Sequence, residues 1–286
     1  ALADRARPAR RALCELNLLP MSLSRSTVFR LLAAIAVALA VAAVNAQTPQ
    51  FDAWFDAEDF AAAERESARL LARDGDDRIG LLARARGGVM QGDSARLDAA
   101  VEAMERCLAR RPDDADCHLW LGRAFGRKAL EAGMLTGVRY AGRIREHFAR
   151  AVDLAPDAIE PRYDLNQFYI LAPSVVGGGK AKARDNIAAF AQRRPAEAAL
   201  LNAQLALAEE RFDEAERLLL GFTPPAGVDE RGLRSVWRDL LSSLGFTYFS
   251  RKPPRLADAR RVFEFASTRF PKVELFLRGQ GRVAQE

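Results

Sequence analysis

The sequence predicts an all-α fold, a solenoid of antiparallel helix hairpins, and three observations carry that expectation. The stretch Cys117–Pro195 states one pattern twice. Leu121-Gly122-x-x-Phe125 leads to Ile144-x-x-x-Phe148-x-x-Ala151-x-x-x-x-Pro156, and Leu165-x-x-x-Tyr169 leads to Ala183-x-x-x-Ile187-x-x-Phe190-x-x-x-x-Pro195. Within each unit the small and apolar residues recur at three and four positions, so each unit reads as two amphipathic helices, the second ended by a proline. The second-helix frame also recurs outside this stretch, at Ala100-x-x-x-Met104-x-x-Cys107-x-x-x-x-Pro112 and at Ala259-x-x-x-Phe263-x-x-Ala266-x-x-x-x-Pro271.

Taken in order, the chain opens with a basic stretch, 1–20, upstream of Met21. It reads as a non-native extension of the frame, with a genuine long leader as the alternative. Met21 is followed by Arg25 and Arg30, an uncharged apolar run from Leu31 to Val44, and Val44-Asn45-Ala46. Basic start, short apolar core and small-residue end are the form of a secretory signal peptide over 21–46, with cleavage after Ala46. The run is short of the roughly 20 residues that span a bilayer; an uncleaved anchor is the other reading. Residues 47–80 are expected to cap the array, with a helix from about Glu58 to Arg73 broken at Gly75 among Asp74, Asp76 and Asp77, residues suited to turns and left-handed geometry.

Five hairpins are expected over 81–273. The first pairs Leu82, Ala85 and Gly88 with the Met104 helix. Gly87, Gly88 and Gly92 each cost roughly 1 kcal/mol against Ala inside a helix, so this unit is loosely specified. The second closes 44 residues after the first, and its extra length, between Phe125 and Ile144, is expected to prolong the first helix until Gly137. In the third, Pro173 stops a helix and Gly177-Gly178-Gly179 make the turn. The fourth joins Leu200, Ala203 and Leu207 to Ala215, Leu219 and Phe222 through the polar corner 209–213. The fifth restores the pattern most fully, with Leu244-Gly245-x-x-Tyr248 before Ala259, and 274–286 form a tail with a short capping segment.

This order of residues resembles the tetratricopeptide repeat (TPR) pattern, Leu-Gly-x-x-Tyr followed by Ala-x-x-x-Phe and a closing Pro. The resemblance implies a right-handed superhelical solenoid and a non-catalytic scaffold for protein partners. The departures are Asn166 where the family has Gly, Ile144 where it has Ala and Phe190 where it has a small residue. It further implies a concave groove lined by the first helix of each hairpin. Carried over position by position, the groove residues are Leu119, Arg123, Arg127, Tyr163, Gln167, Leu200, Gln204, Ser242 and Phe246. Arg123 and Arg127 share a helical face and offer forked donors to carboxylates, so the expected ligand is a segment with acidic and apolar side chains. The other reading is that these residues are solvated or covered by the chain itself.

Composition excludes a nucleic-acid footprint. The formal charge is +5, but residues 1–46 hold six Arg and only Asp4 and Glu15, so the remainder is nearly neutral with both signs scattered. No catalytic set, metal site or cofactor is expected. Gly177-Gly178-Gly179-Lys180 looks toward phosphate, but it lacks Gly at Ser174 and Ser or Thr at Ala181, so it fails as a P-loop. An anion site, or an enzyme or small-molecule receptor built on it, is the alternative to an inter-helix turn; a structural assembly subunit is a third reading. His118 and His147 have no ligand-spaced neighbours, and Asp76-Asp77 and Asp113-Asp114 read as turn residues. In an oxidising compartment Cys107 and Cys117 face one corner and are either bridged or two buried thiols. The signal form, with a composition rich in Ala, Arg and Asp, points to a bacterial envelope and a periplasmic or secreted product.

Overall fold

Aspartate starts the first helices of this chain. Asp59, Asp77, Asp93 and Asp114 each stand at an N-cap and accept the N–H of a residue two or three positions on, at 2.7–3.2 Å, the bond that satisfies an orphan donor of the first turn. They open α1 (Phe60–Arg73), α2 (Arg78–Gln91), α3 (Ser94–Arg110) and α4 (Ala115–Glu131). From there on the helices begin without a side-chain cap: α5 (Ala141–Leu154), α6 (Ile159–Leu171), α7 (Lys180–Ala191), α8 (Ala198–Ala208), α9 (Phe212–Leu220) and α11 (Leu256–Arg269). Packing holds these later helices in place. Between α9 and α11 lies α10 (Glu230–Ser250), and α12 (Glu274–Gln285) ends the chain.

These elements come from a computed structural model that describes residues 50–225 and 230–285; the extension over 1–20 and the signal segment over 21–46 lie outside the described residues. No strand occurs among the described residues. Successive helices pair as hairpins, α2 with α3, α4 with α5, α6 with α7, α8 with α9 and α10 with α11, with α1 packed before the first pair and α12 after the last. The fold is an all-α helical solenoid.

In the first, second and fifth hairpins a glycine lets the helices close. A Cβ on Gly122 would stand 2.6 Å from the Phe148 ring, and one on Gly245 would stand 2.5 Å from Phe263. Gly88, 34 positions before Gly122, does the same work in the first hairpin, where a Cβ would meet the Arg96 carbonyl at 2.5 Å. The glycines that lower helix propensity there are therefore what brings α2 onto α3. In the third hairpin Asn166 occupies the glycine position. Its fully buried amide donates to Gln204 Oε1 at 2.8 Å and accepts weakly from Asn186 Nδ2 at 3.5 Å, so the exchange of Gly for Asn is answered by polar partners on α7 and α8.

Several expectations need correction. The helix of the second unit stops at Glu131, because Gly133 turns left-handed at φ 75°. The extra residues instead form a helical turn, Gly133–Gly137, and a 3-10 turn, Val138–Tyr140. Gly75 is not left-handed; it lies against the Arg106 guanidinium, and the Asp74 carboxylate accepts the Asp76 N–H. Ahead of α1, residues 50–56 form a separate helix whose Phe51 and Phe55 are buried. The tail is a full helix, α12, that buries Phe276, Gly279 and Val283.

Cys107 of α3 and Cys117 in the first turn of α4 are joined by a disulfide, both fully buried and their Cα atoms 6.2 Å apart. The bridge ties the first hairpin to the second across the corner at Pro112. Closing so short a loop is worth about 2–3 kcal/mol. Replacing both cysteines with alanine is expected to lower stability by that amount in urea denaturation under oxidising conditions. It should also abolish the difference between the oxidised and reduced protein.

Candidate functional site

Helices α4, α6, α8 and α10 are the first members of their hairpins and turn toward the inside of the superhelix. The winding is tight enough that α6 and α10, two hairpins apart, touch. Between them α8 is enclosed: AALLNAQLALA is apolar almost all round, and seven of its eleven residues are buried, as expected of a helix without a solvent face. Leu200 and Gln204 are therefore core, not groove. Gln204 donates to the Tyr163 carbonyl at 3.2 Å and to Gln167 Oε1 at 2.7 Å, joining the third hairpin to the fourth. Leu119 is buried too, and Phe246 packs edge-on against Phe263 with ring centroids 5.1 Å apart. Arg127 remains exposed, paired with Glu131 at 3.6 Å.

Among the described residues, charged side chains gather in a recess shared by α4, α6, α10 and the helix at 50–56. Arg123 is its centre. Its Nε donates to Asp164 Oδ2 at 2.6 Å and its Nη2 to Glu160 Oε1 at 3.3 Å, while the guanidinium lies 4.5 Å over the Trp120 ring. The helix α10 approaches through Gly232, where a Cβ would fall 2.9 Å from Glu160 Oε2. On α10, Arg238 bridges Asp239 at 3.1 Å and Asp56 at 2.9 Å, so residues 182 positions apart meet and the last hairpin is fastened to the first described helix.

The electrostatics follow from counting the groups. Four carboxylates, Asp56, Glu160, Asp164 and Asp239, face two guanidinium groups, Arg123 and Arg238, so the recess is net negative. Asp164 lies deep, its side chain 13% exposed, whereas Asp239 and Asp56 are half-exposed. Burial pushes the Asp164 carboxyl up to about 6, against the pull of Arg123 and helped by Glu160 and Asp239. Burial, with Asp239 and Asp164 nearby, likewise raises the Tyr163 phenol above its ordinary range. The sequence-derived groove thus contributes Arg123 and Tyr163 to one site. Arg123 is not a free donor for an acidic ligand, since its fork is already taken.

Two further places were open in the sequence. At the glycine turn the N–H groups of Gly177, Gly178 and Gly179 donate to the carbonyls of Ser174, Pro173 and Tyr169 at 2.7–3.1 Å. A Cβ on Gly178 would fall 1.8 Å from the Ala172 oxygen. The glycines answer a tight turn, and those three amides have no donor left for an anion. His118 and His147, 29 positions apart, come together with their Nδ1 atoms 3.0 Å apart; His118 Nε2 lies 3.0 Å from the Pro112 carbonyl. Burial first, then the neighbouring His118, lowers the His147 pKa. Asp114 sits beside the disulfide, where its carboxylate serves Arg78 at 2.5 Å and caps α4; bridged sulfurs leave no thiolate to hold a metal there.

The arrangement places this chain among the helical-repeat folds. No family model matches the sequence, and no curated protein matches it significantly. Among solved structures it is similar to a thermophilic TPR protein of Thermus thermophilus, with a TM-score of 0.51 and 20% identity over 67% of this chain and 95% of that one. The fold is that of a TPR protein.

Proposed function

We propose that this chain is a non-catalytic scaffold of the cell envelope that holds a protein partner against its inner face. The observation that carries the reading is the recess around Arg123. It gathers titratable side chains from three inner helices, and Asp239 and Asp56 at its mouth reach solvent. Its charge selects a partner segment with a basic residue beside apolar ones, reversing the ligand chemistry expected from the arginines alone. Export is part of the proposal. It is supported by the signal-peptide form of 21–46 and by a disulfide suited to an oxidising compartment; among the described residues no helix is long and apolar enough to cross a membrane.

The test is affinity capture from an envelope fraction with the chain beginning at Gln47. Charge reversal at the rim, Asp239→Arg, is expected to weaken the captured partner about tenfold or more, since like charges facing each other cost several kcal/mol, with the circular dichroism unchanged. Undiminished capture by that variant, with loss instead on changing the outer helix around Arg184, would move the site to the convex face.

A further inference from the structure

Exposed large apolar side chains gather at the two turns that carry the extra residues of the second and third hairpins, the others among the described residues being Met90, Leu275 and Leu277. Four large apolar side chains project from them: Leu130 is 74% exposed, Val138 43%, Leu171 64% and Val175 90%. Both turns join the first to the second helix of a hairpin, so both lie on one edge of the solenoid, and they are neighbours: the Arg145 guanidinium at the start of α5 would stand 2.6 Å from a Cβ on Gly177. The backbone is shaped to project here, with left-handed Gly133, Gly177 and Gly179 at φ 75°, 96° and 128°.

The charge of these two turns is mainly positive. Residues 127–145 and 169–184 hold eight Lys and Arg and one acid, Glu131, with Glu146 and Asp185 directly after them. Four of the eight cations are spent on carboxylates: Arg127 on Glu131, Lys128 on Asp98, Arg143 on Glu105 and Arg184 on Glu209. Arg139, Arg145 and Lys182 form no ion pair among the described residues, Lys182 reaching the Gly177 carbonyl, while Lys180 donates to the Ala208 carbonyl and acts on Glu209. On the opposite edge the turns carry Asp76, Asp113, Asp114 and Asp157, each already held by arginine.

We propose that these two turns dock on the surface of an anionic lipid bilayer, the apolar tips entering the headgroup boundary while Arg139, Arg145 and Lys182 meet lipid phosphates. Apolar side chains on protruding turns, flanked by cations, suit a yielding interface. The surface is separate from the recess around Arg123, and the proposal does not depend on what that recess binds.

Hydrogen exchange of the full chain, read peptide by peptide, tests this locally, so that attachment through any other part of the chain does not mask the answer. Vesicles of phosphatidylcholine with phosphatidylglycerol are expected to slow exchange over 130–140 and 171–179, at low but not at high salt, with vesicles of phosphatidylcholine alone having little effect. The charge reversals Arg139→Glu and Arg145→Glu together should cut that slowing by about tenfold or more and leave exchange in the hairpin cores unchanged. Unaltered exchange at both tips on anionic vesicles overturns the proposal, as does equal slowing by neutral ones. Slowing by an acidic polypeptide such as polyglutamate, but not by vesicles, would assign the edge to a protein instead.

Discussion

Replacing Arg123 with alanine is expected to destabilise the fold by about 3–5 kcal/mol at neutral pH. One guanidinium, its side chain 20% exposed, satisfies both Asp164 and Glu160 and covers the Trp120 ring; its removal leaves a mostly buried carboxylate without a counter-ion. The loss should depend on pH in a definite direction. The folded-state pKa of Asp164, about 6, lies above that of an aspartate in an unfolded chain, about 3.9. The native state therefore binds this proton more tightly than the unfolded state. Stability from this group is fully present below about pH 4 and is lost as the pH rises through about 6. Without Arg123 the carboxyl is held up still further, and once protonated it needs no partner. Urea denaturation of both proteins at pH 4.5 and 7.5 should show the larger gap at 7.5. An equal gap at both, or one below about 1 kcal/mol, would mean that water already solvates Asp164. Arg123→Lys should recover only part of the loss, because an ammonium cannot fork between two carboxylates.

A loss of similar size, about 3–5 kcal/mol, is expected for Phe263→Ala. The ring is fully buried and gripped from two sides, with Gly245 of α10 and Gly279 of α12 each placed so that a Cβ would fall 2.5 and 2.8 Å from it. Helix backbone on both sides cannot collapse into the space as flexible side chains would, so the cavity stays largely open and the cost stays near the upper end. Denaturation curves measure the total. Hydrogen exchange should show the damage concentrated in α12, which loses the ring it is folded over. A cost below about 1.5 kcal/mol would show that the last hairpin repacks, contrary to the geometry of its two glycines.

How much of this was legible in the sequence varies along the chain. The hairpins were, because each depends on residues a few positions apart: apolar spacing marks the buried face, and proline marks where a helix ends. Gly122 and Gly245 stand in the repeated Leu-Gly pattern and close their hairpins; Gly88 looks like a weakness because propensity is local, whereas its reason, the Arg96 carbonyl 2.5 Å from where a Cβ would be, lies on the next helix. The enclosure of α8 had a visible signal, the unbroken apolar run from Ala198 to Leu201 and again from Leu205 to Ala208. An open groove needs a polar stripe, and this helix has only Asn202 and Gln204.

The recess had no such signal. Asp56, Arg123, Glu160, Asp164, Arg238 and Asp239 are ordinary charged residues on amphipathic helices, and nothing in their spacing links them. The sequence by itself determined the helices, their pairing, the glycine and alanine positions at which they close, and the corner that brings Cys107 to Cys117. Only the tertiary structure decided how tightly the hairpins wind, and with it which inner residues became core, which carboxylates share Arg123, and that Arg238 reaches Asp56. The reason is physical: a hairpin is specified by contacts within about 40 residues, while the pitch of the superhelix is the sum of small rotations between successive hairpins. Side chains two or more hairpins apart meet only once that sum is complete.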